Sequence, residues 1–220
     1  MVLNMKIDNR YVSIMLLLLL FIFASMTINE CFEQNPIKKN DIINEYLKYH
    51  NITKANIVDL GEYTNLNYSN STVDETGQFS VNDTYYLYNI IDKKSKFDYN
   101  KDEIAKYSIE IVKSFEEIAY LHNTTLEDYY NNTLHYNKEE FYKFCFDEGL
   151  HAIENVLVIG AIADEQRIIV GNNDISNYLT NKNIDLSLYK RSNEIKVNAD
   201  FEILKNKVTK FLKENNNALN

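Results

Sequence analysis

The chain has 220 residues, of which 45% are hydrophobic, and it carries a formal net charge of −9. This length allows one domain of ordinary size or two small ones, with enough apolar side chains for a core. The negative charge repels phosphate, so the composition argues against nucleic-acid binding. One proline and five glycines favour long uninterrupted helices and disfavour a loop-rich sandwich or barrel.

A positively charged start and an apolar run mark the N-terminus. Lys6 and Arg10 precede the predominantly apolar residues 11–24, which include a run of leucines. This pattern is typical of a signal sequence, and the run is slightly shorter than the about 20 residues of a transmembrane helix. We therefore expect an exported protein, with residues 1–31 as a signal sequence or membrane anchor. An uncleaved anchor, a cleaved signal peptide and a lipoprotein acylated at Cys31 are the three alternatives for the mature form.

The next segment, residues 32–98, is predicted to hold a linker helix and a small β element. Apolar side chains at helical spacing over residues 36–50 indicate the helix. Residues 55–66 and the aromatic, β-branched residues 84–91 are both predicted strands, the second being the stronger candidate. They are expected to form an antiparallel pair packed on a helix, separated by a polar loop that begins at residue 67.

Residues 99–220 are predicted to form a helical domain. The longest helix begins after Asn137, which forms a capping-box pattern with Glu140. An extended break over residues 168–170 follows, because two isoleucines and a valine favour an extended backbone, and Asn173 is the expected cap of the next helix. Apolar spacing predicts the other helices over residues 100–122, 124–134, 174–182 and 199–215, with a polar connection over residues 183–198.

Several of these segments resemble the trigger-factor family. Residues 55–66, ANIVDLGEYTNL, are similar to the family's strand followed by Leu-Gly-x-Tyr-x-x-Leu. Residues 125–141 are similar to the family's Leu-Glu-Glu-Tyr … Thr-Glu-Glu-Phe pairing. Residues 158–179 are similar to its Val-Leu-x-Ala-Ile-Ala segment, and residues 204–212 to its closing helix. The resemblance covers about residues 55–215 and is strongest over residues 124–179.

The resemblance implies a mainly α, multi-helical peptide-binding domain, like the C-terminal domain of trigger factors and the SurA-type chaperones, with a small β element at about residues 55–91. It implies a chaperone for unfolded or nascent exported polypeptides that works without ATP or another cofactor. Trigger factors commonly carry an FKBP-type prolyl isomerase module of about 80 residues or more, and the stretch between Leu66 and Asn100 is too short for one. A prolyl isomerase and a membrane-anchored helical adaptor for one partner are the alternative functions.

Six aromatic side chains are the candidate client-binding residues: Tyr129, Tyr130, Phe141, Tyr142, Phe144 and Phe146. An exposed apolar surface with a charged rim is typical of an interaction site. Packing in the helical core is the alternative for each of them. In the resembled fold the chain turns back at residues 168–170, so the substitution Ile169→Asp is expected to cause misfolding.

We expect neither a metal nor another cofactor. The four histidines, at positions 50, 122, 135 and 151, show no H-E-x-x-H pattern or other recognisable ligand spacing, so they are expected to be solvated or to cap helices. The sequence contains no phosphate-binding loop or nucleophile elbow. Cys145 is expected to be a small buried hydrophobe, and two cysteines do not make a disulfide framework.

Overall fold

The computed structural model describes residues 39–69 and 83–219 of the chain. Helices make up 71% of these residues, so the protein is mainly α, as predicted. The elements in chain order are α1 (Lys39–Tyr49), β1 (Asn56–Asp59), β2 (Asn67–Ser69), α2 (Asp83–Lys94), β3 (Lys96–Asp98), α3 (Lys101–Leu121), the single-turn α4 (Leu126–Asp128) with a π-helical turn after it (Tyr129–Thr133), α5 (Lys138–Glu165), α6 (Asn172–Lys182), α7 (Leu186–Arg191), α8 (Asn193–Glu214) and β4 (Asn217–Leu219).

The expected signal sequence or anchor, residues 1–31, lies outside the described residues. Within the described ranges, no helix combines the length and the apolar character needed to cross a membrane.

Helix α5 is the longest element and contributes to both hydrophobic clusters of the protein. The Asn137 side chain accepts a hydrogen bond from the Glu140 N–H at 3.0 Å, and the Glu140 carboxylate accepts one from the Asn137 N–H at 2.9 Å. These two bonds confirm the predicted capping box and satisfy backbone donors that the first helical turn leaves without partners.

Two hydrophobic clusters stabilise the fold. The main core takes residues from α1, α2, the start of α3, the second half of α5 and α6 to α8. It therefore joins residues from both sides of the boundary predicted near residue 98. The second cluster, here called the hairpin cluster, comes from one continuous stretch of chain and consists of Ile111, Val112, Phe115, Ala119, Tyr129, Tyr130, Phe141 and Cys145.

The prediction of a strand over residues 84–91 is wrong, because α2 covers this segment. Tyr88 and Ile91 are both buried in the main core. Side chains three residues apart share one face of a helix but lie on opposite faces of a strand. Aromatic and β-branched residues favour a strand only weakly, so the burial of this common face decides for the helix.

Two small sheets lie beside the helices. The predicted strand at β1 is confirmed, but its antiparallel partner is β3, with Ile57 opposite Phe97. β2, at the start of the predicted loop, pairs in parallel with β4, with Asn67 opposite Asn217. Two-stranded sheets are marginal alone, and here β1 contacts α5 while β2 contacts α2.

The polar connection over residues 183–198 contains helical structure that was not predicted. Asp185 caps α7 by accepting a hydrogen bond from the Ser187 N–H at 2.7 Å. Ser192 caps α8 by accepting one from the Ile195 N–H at 3.2 Å. The last helix therefore begins six residues earlier than residue 199, at Asn193. Asp and Ser are common both in loops and as helix caps, so these polar residues led to the prediction of a loop at the two helix starts.

The predicted break between α5 and α6 is confirmed, but its residues have different roles from those expected. The Ile169 side chain is 58% exposed, whereas Val170 is only 4% exposed and belongs to the main core. A charge at Ile169 would therefore face solvent, so this geometry argues against the expectation of misfolding. The cap of α6 is Gly171 rather than Asn173, and the Asp174 carboxylate accepts the Gly171 N–H at 2.9 Å.

Candidate functional site

Helices α3 and α5 form an antiparallel hairpin. Near its base, a Cβ atom at Gly149 would lie 2.6 Å from Ser108 Oγ, so glycine permits a close approach of the two helices. Further along, the rings of Phe115 and Phe141 lie 5.4 Å apart at their centroids. α4 and the π-helical turn connect the helices at the far end, and the hairpin cluster fills the space beneath them.

Three of the six predicted client-binding residues are buried in the hairpin cluster. They are Tyr129, Tyr130 and Phe141. The ring of Tyr130 stacks on that of Phe141 with the centroids 4.9 Å apart. In this conformation these side chains hold the hairpin together and present no surface to a client.

The other three predicted residues are at least partly accessible. Phe144 is half-buried against the hairpin cluster, and Phe146 is half-buried against the main core. Tyr142 is 45% exposed, with its ring 5.5 Å from that of buried Phe141. Of the six predicted residues, three are thus buried, Phe144 and Phe146 are half-buried, and Tyr142 is exposed.

Two accessible apolar residues were missed by the sequence analysis. Tyr120 and Leu121 are 80% and 70% exposed in the last turn of α3. The helix ends with Leu121, and His122 is its C-cap residue. In the sequence, the signal for this exposed pair was two large apolar residues directly before a polar turn. Tyr120, Leu121 and Tyr142 lie at the same end of the hairpin, and we call them the hairpin-end surface.

Polar and acidic groups lie beside Tyr120 at the hairpin end. A shallow open depression is lined by Tyr120, Asn123, Thr124, Thr125 and Asp128. Within it, the Thr125 hydroxyl donates to the Asp128 carboxylate at 2.8 Å. Next to the exposed Tyr120 ring there are therefore hydrogen-bond acceptors, which can accept backbone N–H groups of an extended peptide.

A second group of polar side chains lies between α2 and α5. One ligand atom each of Asp92, His151 and Glu154 falls within 4.8 Å of the others. Asp92 is 9% exposed, and neither of its carboxylate oxygens has a hydrogen-bond partner among the described residues. The pKa of Asp92 is raised to about 7, mainly by burial and also by Glu154, while His151 acts in the opposite direction.

The sequence analysis did not identify this group because Asp92 lies far from the other two in the chain and only the packing of α2 on α5 joins them. His151 is exposed, as expected, but its Nδ1 lies 3.3 Å from Glu154 Oε2. The spacing of three residues between His151 and Glu154 on one helix was the available signal.

The expectation that all histidines are solvated or capping is wrong for His50. This side chain is buried, and its ring packs edge-on against that of Tyr107 with the centroids 5.3 Å apart. Its Nδ1 lies 3.3 Å from Glu110 Oε2. His50 thus joins α1 to α3 within the main core. His122 follows α3 as its C-cap residue, and His135 is exposed, both as expected.

Comparisons of the chain with protein-family models, with curated proteins and with solved structures found no match. The resemblance to trigger factors therefore stays a prediction from the residues that carry it.

Proposed function

We propose that the protein is an ATP-independent extracytoplasmic chaperone, of the trigger-factor and SurA-like type, that binds unfolded exported polypeptides. The observation that carries this proposal is the hairpin-end surface, where three large apolar side chains are exposed at one end of a helical hairpin. Apolar residues that cluster on a surface inside a polar rim are characteristic of protein interaction sites. Clients would contact Tyr120, Leu121 and Tyr142.

The packing beneath the surface supports this role. Tyr142 follows Phe141, whose buried ring stacks on Tyr130 and packs edge-on against Phe115. The exposed Tyr142 ring therefore lies next to well-packed, buried aromatic side chains. Aromatic side chains bury a large area on contact, so a few of them can hold many different apolar segments. The net charge of −9 adds attraction for basic client segments.

The proposed location follows from residues 11–24, whose apolar character is typical of a signal sequence or anchor. The protein would act outside the cytoplasm, either anchored in the membrane or secreted. Cell fractionation together with the mass of the mature N-terminus tests this. A full-length chain in the cytosolic fraction would contradict it.

The client-binding proposal is tested with the purified 32–220 fragment in an assay of aggregation of a chemically unfolded substrate. We expect the fragment to suppress aggregation at a small molar excess. The triple variant Tyr120→Ser/Leu121→Ser/Tyr142→Ser should lose most of this suppression while remaining folded, because all three side chains are exposed.

Leu186 and Leu188 provide the matched control, since they are 50% and 48% exposed on α7. The double variant Leu186→Ser/Leu188→Ser should suppress aggregation as the unmodified fragment does. Equal losses in the two variants would contradict the hairpin-end surface as the client site. If the unmodified fragment does not suppress aggregation, the proposed chaperone function is contradicted. A pull-down that recovers one stoichiometric protein would favour the adaptor alternative.

A further inference from the structure

We propose that Asp92, His151 and Glu154 form a binding site for a divalent transition-metal ion of the Zn²⁺ type, which links α2 to α5. This inference concerns a different part of the molecule from the hairpin-end surface and does not depend on the proposed function.

The two ligands on α5 are already spaced for a metal ion. His151 and Glu154 are three residues apart, so they lie on the same face of the helix. His151 Nδ1 and Glu154 Oε2 are 3.3 Å apart. Bonds of about 2.0–2.1 Å at a tetrahedral ion separate neighbouring ligand atoms by about 3.4 Å, so this pair matches one edge of the tetrahedron.

Asp92 supplies the third ligand from the facing helix. Its ligand atom lies within 4.8 Å of the other two. Its two oxygens are buried without a hydrogen-bond partner among the described residues. An unpartnered buried carboxylate is unfavourable, and a bound cation would provide the missing partner for it.

The surroundings also favour a cation. Glu148 lies one turn before His151 on α5 and is half-buried. The carboxyl groups of Glu154, Glu148 and Asp92 all interact electrostatically with the His151 imidazole. A divalent ion would balance the negative charge that they carry when ionised.

The ligand types indicate the class of metal. Ca²⁺ and Mg²⁺ prefer oxygen ligands alone, whereas an imidazole nitrogen with carboxylate oxygens suits Zn²⁺ and similar transition-metal ions. The His151 side chain is 55% exposed, so the ion can enter from solvent. Three protein ligands also leave a fourth tetrahedral position, which can hold water.

The test is isothermal titration calorimetry of the full-length protein, purified in a nonionic detergent, with Zn²⁺. We expect one ion per chain and much weaker binding of Mg²⁺ and Ca²⁺. Mutations of outer-shell partners alone weaken metal sites about 10–100-fold, so loss of a ligand in Asp92→Asn should weaken Zn²⁺ binding at least about 100-fold. This variant keeps the shape of the side chain and removes an unpartnered buried acid, so it should fold.

The matched control is His135→Ala, which removes an exposed histidine outside the cluster and should leave Zn²⁺ affinity unchanged. As a second measurement, Zn²⁺ should raise the melting temperature of the unmodified protein and leave that of Asp92→Asn unchanged. Absence of Zn²⁺ binding, equal affinity in Asp92→Asn, or loss of binding in His135→Ala would each overturn the proposal.

Discussion

Neighbouring aromatic residues at the start of α5 have opposite surroundings. Phe141 is fully buried, whereas Tyr142 is 45% exposed. Replacing a buried phenylalanine by alanine typically lowers the free energy of unfolding by about 3–5 kcal/mol. We therefore expect Phe141→Ala to lower it by that amount, and Tyr142→Ala to lower it by less than about 1 kcal/mol. Urea unfolding measures both, and similar losses would contradict the assignment of Tyr142 to the surface.

A second residue-scale prediction concerns pH and Asp200. This carboxyl is buried and accepts a hydrogen bond from the Tyr189 hydroxyl at 2.6 Å. The pKa of Asp200 is raised to about 6, mainly by burial and also by Glu45, while the Tyr189 hydrogen bond and Lys196 act in the opposite direction. The folded state therefore keeps its proton at a pH where the unfolded chain, with a pKa near 3.9, has lost it.

The stability that this protonated carboxyl contributes is full below about pH 4 and is lost as the pH rises to about 6. The loss amounts to roughly 3 kcal/mol. In Asp200→Asn this contribution is absent, so the free energy of unfolding should fall less between pH 4 and pH 7 than in the unmodified protein. Urea unfolding at several pH values tests this, and parallel pH profiles would contradict the pKa shift.

At the scale of elements, the contact between α3 and α5 depends on Gly149. A Cβ atom there would meet Ser108 Oγ at 2.6 Å, while the Cα and Cβ atoms of Ser108 are 3.5 Å away. The hydroxyl donates to the Ile104 carbonyl at 2.8 Å, which fixes its position. Gly149→Ala should therefore lower the free energy of unfolding by about 1–3 kcal/mol.

Gly149→Ala should no longer lower the free energy of unfolding once the serine hydroxyl is removed. In a Ser108→Ala background the close contact is gone, and alanine is favoured over glycine within a helix by up to about 1 kcal/mol. Gly149→Ala should then be neutral or stabilising. A double-mutant cycle by urea unfolding measures the difference, and additive effects would contradict the geometry of this contact.

The break between α5 and α6 gives a second prediction at this scale. Val170→Asp would place a charge in the main core, where burial without a partner is strongly unfavourable. We expect this variant to unfold or to lose several kcal/mol of stability. Ile169→Asp is the matched control and should change stability by about 0.5 kcal/mol or less. Circular dichroism with thermal melting separates the two outcomes.

At the scale of the whole molecule, the expected absence of prolyl isomerase activity is testable. Residues between Leu66 and Asn100 include β2, α2 and β3, while residues 70–82 lie outside the described ranges. An isomerase module of about 80 residues does not fit into this stretch. We expect the 32–220 fragment to leave the rate of a proline-limited refolding reaction at its background value. A clear acceleration would contradict this and favour the isomerase alternative.

Much of the helical architecture was predictable from local sequence. The capping pair Asn137 and Glu140, and the apolar spacing of α3 and α5, identify helices because these signals act within one or two turns. The strand predicted at residues 84–91 failed because burial of one helical face outweighed local preference. Of the hairpin-end surface, the sequence indicated only Tyr142, as one of six aromatic candidates. It did not indicate Tyr120 or Leu121, nor which of the six candidates face solvent.

The sequence by itself determined the composition, the helix caps, most of the helical periodicity and the break before α6. Only the tertiary structure decided that Tyr130 and Phe141 support the hairpin while Tyr142 is exposed, and that Asp92 meets His151 and Glu154. The physical reason is the range of the interactions. Caps and periodicity depend on neighbours along the chain, whereas burial and the meeting of distant carboxylates depend on how whole helices pack.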